Sequence, residues 1–172
     1  MNDSESQSDA ELSHVSDDGK ASMVDVGDKA PTRRTALAEA WVNVGPQIAE
    51  LLRTTGAVAK GNVLETARVA GILAAKRTAD LIPMCHPLGL DVVEIDAELH
   101  GDRVHIVARA VCSGKTGVEM EAMTAVSVAS LTVYDMVKSA GKGVEIGPVR
   151  LLEKTGGKSG AWRAAEKNNG NG

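Results

Sequence analysis

Two alternating runs, residues 90–99 and 103–111, stand three residues apart, with His100-Gly101-Asp102 between them. A period of two puts every second side chain on one face, and a short gap holding a glycine turns the second run back along the first. The chain must therefore contain an antiparallel hairpin with one buried face. A third alternating run, Ala36 to Val44, sets Ala38, Ala40, Val42 and Val44 on one side, and a last strand is expected from about Val144 to Glu153. The segments between them have helical spacing. Gly45-Pro46 opens a short helix through Leu52, with proline near its first position. A longer helix is predicted from about Asn62, its N-cap, to about Thr78, with Val63, Ala67, Ala70 and Ala74 facing inward. A glycine-containing loop, Ser113 to Gly117, leads into a long helix ending near Ser139. This order predicts an α+β fold, an antiparallel sheet with helices packed on one face.

The core of such a fold must be aliphatic, because the chain has no Phe, one Tyr and two Trp. Small side chains permit close helix-to-sheet approach, and 172 residues suffice for one domain with tails and no disulfides. Residues 1–22 read as a disordered acidic tail, 23–160 as the folded body and 161–172 as a flexible end. The net charge of −4 comes from the first 20 residues, which hold six acids and one base, while the remainder holds 17 acids and 18 bases. A nearly neutral body argues against broad nucleic-acid binding but leaves room for a local basic pocket facing an anion. Cys85 and Cys112 form no spaced metal or disulfide pattern, and no signal segment or long apolar span is present. A cytoplasmic protein that does not bind membranes is the expectation.

Chemistry concentrates in a few places. Pro83 and Pro87 bracket Met84-Cys85-His86. Each proline fixes φ and biases the residue before it, Ile82 or His86, toward extended backbone. Such a stiff segment suits a pocket wall, or a rigid connection around a buried cysteine. Asp135 and Lys138 share a helix face, as a surface ion pair or a proton-transfer pair. Glu119 and Glu121 sit near the start of the same helix. Glu121 and Asp135 are nearly four whole turns apart, and at ~1.5 Å rise per residue that is ~21 Å along the axis. If both are catalytic, the site draws them from two copies of the chain.

Gly114-Lys115-Thr116 and Gly157-Lys158-Ser159 end like phosphate-binding loops, but the earlier glycine that motif requires is replaced by Arg109 and by Leu152. Glycine-rich turns can bind phosphate without that motif. Arg33-Arg34 and Lys76-Arg77 are local basic pairs, and Lys60-Gly61 precedes a helix start, where anions are favoured. Cys85 and His86, adjacent in extended chain, would point to opposite sides, so a shared metal ion is not expected.

Taken in order, these segments resemble the cyclic pyranopterin monophosphate synthase family of molybdenum cofactor biosynthesis, the MoaC type. The resemblance covers about Met23 to Gly160. It rests on Met23-Val24-Asp25-Val26, Lys60-Gly61-Asn62-Val63, Ala74-Ala75-Lys76-Arg77-Thr78 and the run Leu81 to Leu88. It continues through Gly114 to Ala122, Tyr134-Asp135-Met136-Val137-Lys138, Ile146 to Leu152 and Lys154 to Gly160. Asn62 stands where the family often has an acid, and Met84 where it often has Leu.

The resemblance implies a ferredoxin-like fold and a homohexamer, a trimer of dimers, with the site at a subunit interface. It implies conversion of a cyclised GTP, (8S)-3′,8-cyclo-7,8-dihydroguanosine 5′-triphosphate, to cyclic pyranopterin monophosphate with loss of diphosphate. That substrate would come from a radical-SAM GTP cyclase. The chemistry is proton transfer and requires no metal or cofactor. By position, Asp135 matches the catalytic residue, Lys138 its acid/base companion and Lys60 a second catalytic lysine. Met84, Cys85 and His86 match one substrate-binding segment, and Met120 and Glu121 another. Arg34, Lys76, Lys154 and Lys158 match triphosphate-binding positions, and Glu119 an acid lining the site. A non-catalytic phosphate-binding oligomer and a purely structural protein stand as alternative readings.

Overall fold

The computed structural model describes residues 20–58, 61–158 and 160–165. The first alternating run forms β1 (Thr32–Asn43), which starts four residues earlier than the apolar pattern predicts. Thr32 to Thr35 are polar, but their backbone pairs with residues 111–114 of a neighbouring strand, so the hydrogen-bond ladder extends beyond the apolar signal. Helix α1 (Gly45–Thr55) carries proline in its first turn and runs one turn past Leu52. It ends at Gly56, whose φ of 63° supplies the left-handed cap. Two short strands, β2 (Ala57–Val58) and β3 (Gly61–Asn62), pair with each other. Helix α2 (Val63–Ala75) begins at Asn62, whose side chain accepts the Glu65 N–H at 3.1 Å.

The helix expected to reach Thr78 stops at Ala75, and a separate short turn, α3 (Thr78–Leu81), follows. Its inward stripe carries Gly71 where Ala70 was expected; Ala70 is only half-buried. Strands β4 (Leu90–His100) and β5 (Arg103–Gly114) form the predicted hairpin, with His100 opposite Arg103. Then come α4 (Glu119–Val137), β6 (Glu145–Thr155) and β7 (Trp162–Arg163). Within the span expected to be a flexible end, Trp162 and Arg163 pair with Lys154 and Glu153 as β7, and residues 166–172 lie outside the described residues. Residues 1–19, most of the expected acidic tail, lie outside the described residues.

The sheet order is β4-β5-β1-β6-β7, and every pairing is antiparallel. With β1, β4, β5 and β6 as its four principal strands, and helices crossing between β1 and β4 and between β5 and β6, this is the ferredoxin-like arrangement. Helix α4 lies on β1, β5 and β6, while α2 lies on β4 and on α4. The core forms between this helix layer and one sheet face, from Ala36, Ala38, Ala40 and Val42 on β1 and Val104, Ile106, Ala108 and Ala110 on β5. The helix side contributes Ala122, Ala125, Val126, Ala129 and Val133, which fall on one helix face. A methyl group at Gly71 would collide with Ile95 and come within 2.9 Å of the Ala125 carbonyl. The missing side chain is what lets α2 and α4 approach this closely. The other sheet face is polar: Trp41 stacks on His105 at 4.1 Å, and buried Glu39 bonds to His105 at 2.8 Å and to Arg150 at 2.6 Å.

Candidate active site

Five stretches of chain meet beside the polar start of β1 around a cavity of about 610 Å³. Antiparallel pairing aligns residues 32–35 with the end of β5 and Thr35 with the end of β6, so the loops after both strands fall beside Arg34. Arg34 donates from Nε to the Gly114 carbonyl at 3.0 Å and from Nη2 to the Lys115 carbonyl at 3.1 Å. Gly157 lies against its guanidinium with a φ of 75°, so both the backbone turn and the lack of a side chain are needed there. Lys154 donates to Glu119 Oε1 at 2.9 Å. Lys115 donates to the Gly27 carbonyl at 2.6 Å and ties the segment carrying Val24, Val26 and Lys29 to the rim. Lys29, Arg34, Lys115, Lys154 and Lys158 thus bring cationic side chains to one cavity, the clustering that an oligophosphate requires.

The opposing groups are two acids and one thiol, Glu119, Glu121 and Cys85. Glu121 opens α4 and is only 4 % exposed. Burial pushes its carboxyl up to about 7; its own backbone N–H opposes the rise and the charge of Glu119 adds to it. The Cys85 thiol is raised by burial and by Glu121, and buried Cys112 is raised for the same two reasons first, so both stay protonated at neutral pH. The proline-bracketed segment is a turn closed by the Cys85 N–H donating to the Ile82 carbonyl at 3.0 Å. Cys85 and His86 both line the cavity. The backbone here is a turn and not the extended strand from which opposite-facing side chains were expected.

Of the predicted substrate-binding residues, Arg34, Met84, Cys85, His86, Glu119, Met120, Glu121, Lys154 and Lys158 all line this cavity. Lys76 does not; it borders a neighbouring crevice of about 90 Å³ whose wall also includes Leu88 and Glu121. Lys29 and Lys115 are cavity cations that the sequence reading did not single out as site residues. Lys115 sits in the loop weighed as a phosphate-binding motif, whereas Lys29 stands in a stretch with no local signal. A second cavity, of about 590 Å³, shares Lys29, Arg34 and Lys158 with the first. Asp135 and Lys138 form an ion pair of 2.6 Å at the far end of α4, both exposed and neither bordering the cavity. Asp135 raises the Lys138 pKa through its hydrogen bond and its charge, which keeps the amine protonated in the single chain. The lowered value that a neutral base would need is not what this environment produces. Lys60 lies outside the described residues.

Among the described residues, no helix is long and apolar enough to cross a membrane, and no group of three or more His, Cys, Asp or Glu is arranged to hold a metal ion. Comparison with known proteins gives a family model, described as the MoaC family, that matches residues 23–157. A relative from Novosphingobium aromaticivorans, named cyclic pyranopterin monophosphate synthase, is 53% identical over 91% of this chain and 99% of its own length. Relatives of the same name from Streptomyces avermitilis and Thermomicrobium roseum are 56% and 52% identical, over 88% and 90% of this chain and 88% and 93% of their own lengths. The matched span takes in every wall of the cavity except Lys158, and the chain belongs to the MoaC family.

Proposed function

We propose that the chain is a cyclic pyranopterin monophosphate synthase of molybdenum cofactor biosynthesis, a phosphorus–oxygen lyase of the cytoplasm. Its substrate is the cyclised GTP supplied by a radical-SAM GTP cyclase, and its products are cyclic pyranopterin monophosphate and diphosphate. The observation that carries this reading is the cavity itself, where lysine and arginine side chains face two glutamates and the Cys85 thiol across a space of nucleotide size. The cations hold the triphosphate and stabilise charge on the departing diphosphate. Met84, Cys85, His86, Met120 and Glu121 hold the ring system. Lys138, protonated beside Asp135, serves as a proton donor, and Lys60 is the second acid/base group.

Because α4 is unbroken from Glu119 to Val137, Glu121 and Asp135 of one chain cannot reach one ligand. The reading therefore assembles each site from the cavity of one copy and the Asp135–Lys138 pair of another. The homohexamer, a trimer of dimers, supplies those copies. Exposed Val69, Leu73 and Leu131 on the outer sides of α2 and α4 support burial of the helix layer against a second copy. Turnover of the cyclised GTP tests the reaction. Lys138→Ala and Asp135→Ala should each lower turnover by about 10²–10⁴-fold while the cavity still binds ligand. Turnover within a few-fold of the unaltered protein in both variants defeats the reading, as does a protein that binds the ligand and never converts it.

A further inference from the structure

Glu119 and Glu121 enter the same cavity from the same helical turn, but in different company. Glu119 has Lys154 at 2.9 Å. Glu121 is 4 % exposed; its own backbone N–H donates to it, but among the described residues no side chain does and no cation pairs with it. The groups near it are the Cys85 thiol from the turn after α3, the Cys112 thiol from β5 and the Glu119 carboxylate on its own helix. Arg34 from β1 is committed to two backbone carbonyls, and Lys154 from β6 to Glu119. On its other side, Glu121 closes the small crevice bordered by Lys76, Arg77 and Asp80. A carboxylate in this position would be desolvated with only its own backbone N–H to offset the loss, and would face a ligand dense in phosphate oxygens. A carboxylic acid pays neither penalty and presents an O–H to the cavity.

We propose that Glu121 works as the neutral acid of the pocket, donating a hydrogen bond from its carboxyl O–H to a ring carbonyl or ring nitrogen of the bound guanine-derived ligand. Glu119 instead pairs with Lys154, so two glutamates two residues apart have different partners and different tasks. The inference rests on the proposed reaction for the identity of the ligand. The protonation state rests on this chain alone.

The test follows the Glu121 side-chain carboxyl by carbon NMR in the full protein, its signal assigned by loss in Glu121→Gln, together with titration calorimetry using GTP as the probe. The carboxyl should titrate near 7, as its burial requires. Between about pH 6 and about pH 8 the affinity for GTP should fall about tenfold more in the unaltered protein than in Glu121→Gln, because only the protonated fraction is competent to donate. The amide variant keeps a donor and loses the titration, so its residual pH dependence reports the ligand's own phosphates. A carboxyl that titrates in the ordinary glutamate range overturns the proposal. So does an equal pH dependence in the two proteins, or GTP that binds neither. If the titration and the affinity difference hold while the cyclised GTP is not converted, the reaction is wrong and the assignment of Glu121 stands.

Discussion

At the scale of single residues, the burial of Glu121 ties stability to pH. Its folded pKa lies above the unfolded one, so between the two values the native state holds a proton that the unfolded chain has released. Stability contributed by the protonated form is complete below the unfolded value and is lost as pH rises through about 7. Glu121→Gln should therefore gain on the unaltered protein as pH rises, by about 2 kcal/mol at pH 8 relative to pH 4 after allowing for screening through the open cavity. Urea unfolding of both proteins across that range checks it, and a constant difference would contradict it. The acid was visible in the sequence as a site residue, but its protonation state was not. That state depends on burial by elements that arrive from distant parts of the chain, on the neighbouring Glu119 charge, and on the fact that Lys154 reaches Glu119 and not Glu121. Likewise, the prolines marked residues 83–87 as rigid, but the turn that brings both Cys85 and His86 to the cavity is a tertiary outcome.

At the scale of elements, the alternating runs carried their own register. The hairpin and β1 were legible because one buried face imposes period two, and a one-residue slip would expose it. Elements without an apolar signature were not legible. The first four residues of β1 and all of β7 exist because a neighbouring backbone offers a ladder, and no pattern in their own side chains announces it. The α2 stripe was misread by one position for a related reason. Gly71 has no apolar side chain to count, yet it occupies the closest contact with α4. Gly71→Ala should force Ile95 or α4 to shift and cost about 1–3 kcal/mol, the usual penalty for overpacking. Thermal unfolding measures it, and a stability unchanged or raised would mean the two helices have slack that their packing does not suggest.

At the scale of the whole molecule, the proposed site belongs to no single chain. Co-expressing Lys138→Ala with Arg34→Ala should therefore restore activity that neither variant has alone. Random assembly would leave roughly a quarter of sites with both intact halves, because each site draws one half from each of two copies. Assay of the purified mixed oligomer decides it; activity no greater than that of the better single variant would defeat the shared site. In such an assembly α4 is a ruler. Its two ends serve different pockets, and its continuity fixes both their spacing and their relative angle. One residue inserted near Ala129 would leave every reacting group in place on its own turn. It would also swing Asp135 by about 100° relative to Glu121, and this would recur at every copy. The helix can exchange side chains along its exposed face far more freely than it can change its length, and length variation across this segment is what the architecture forbids.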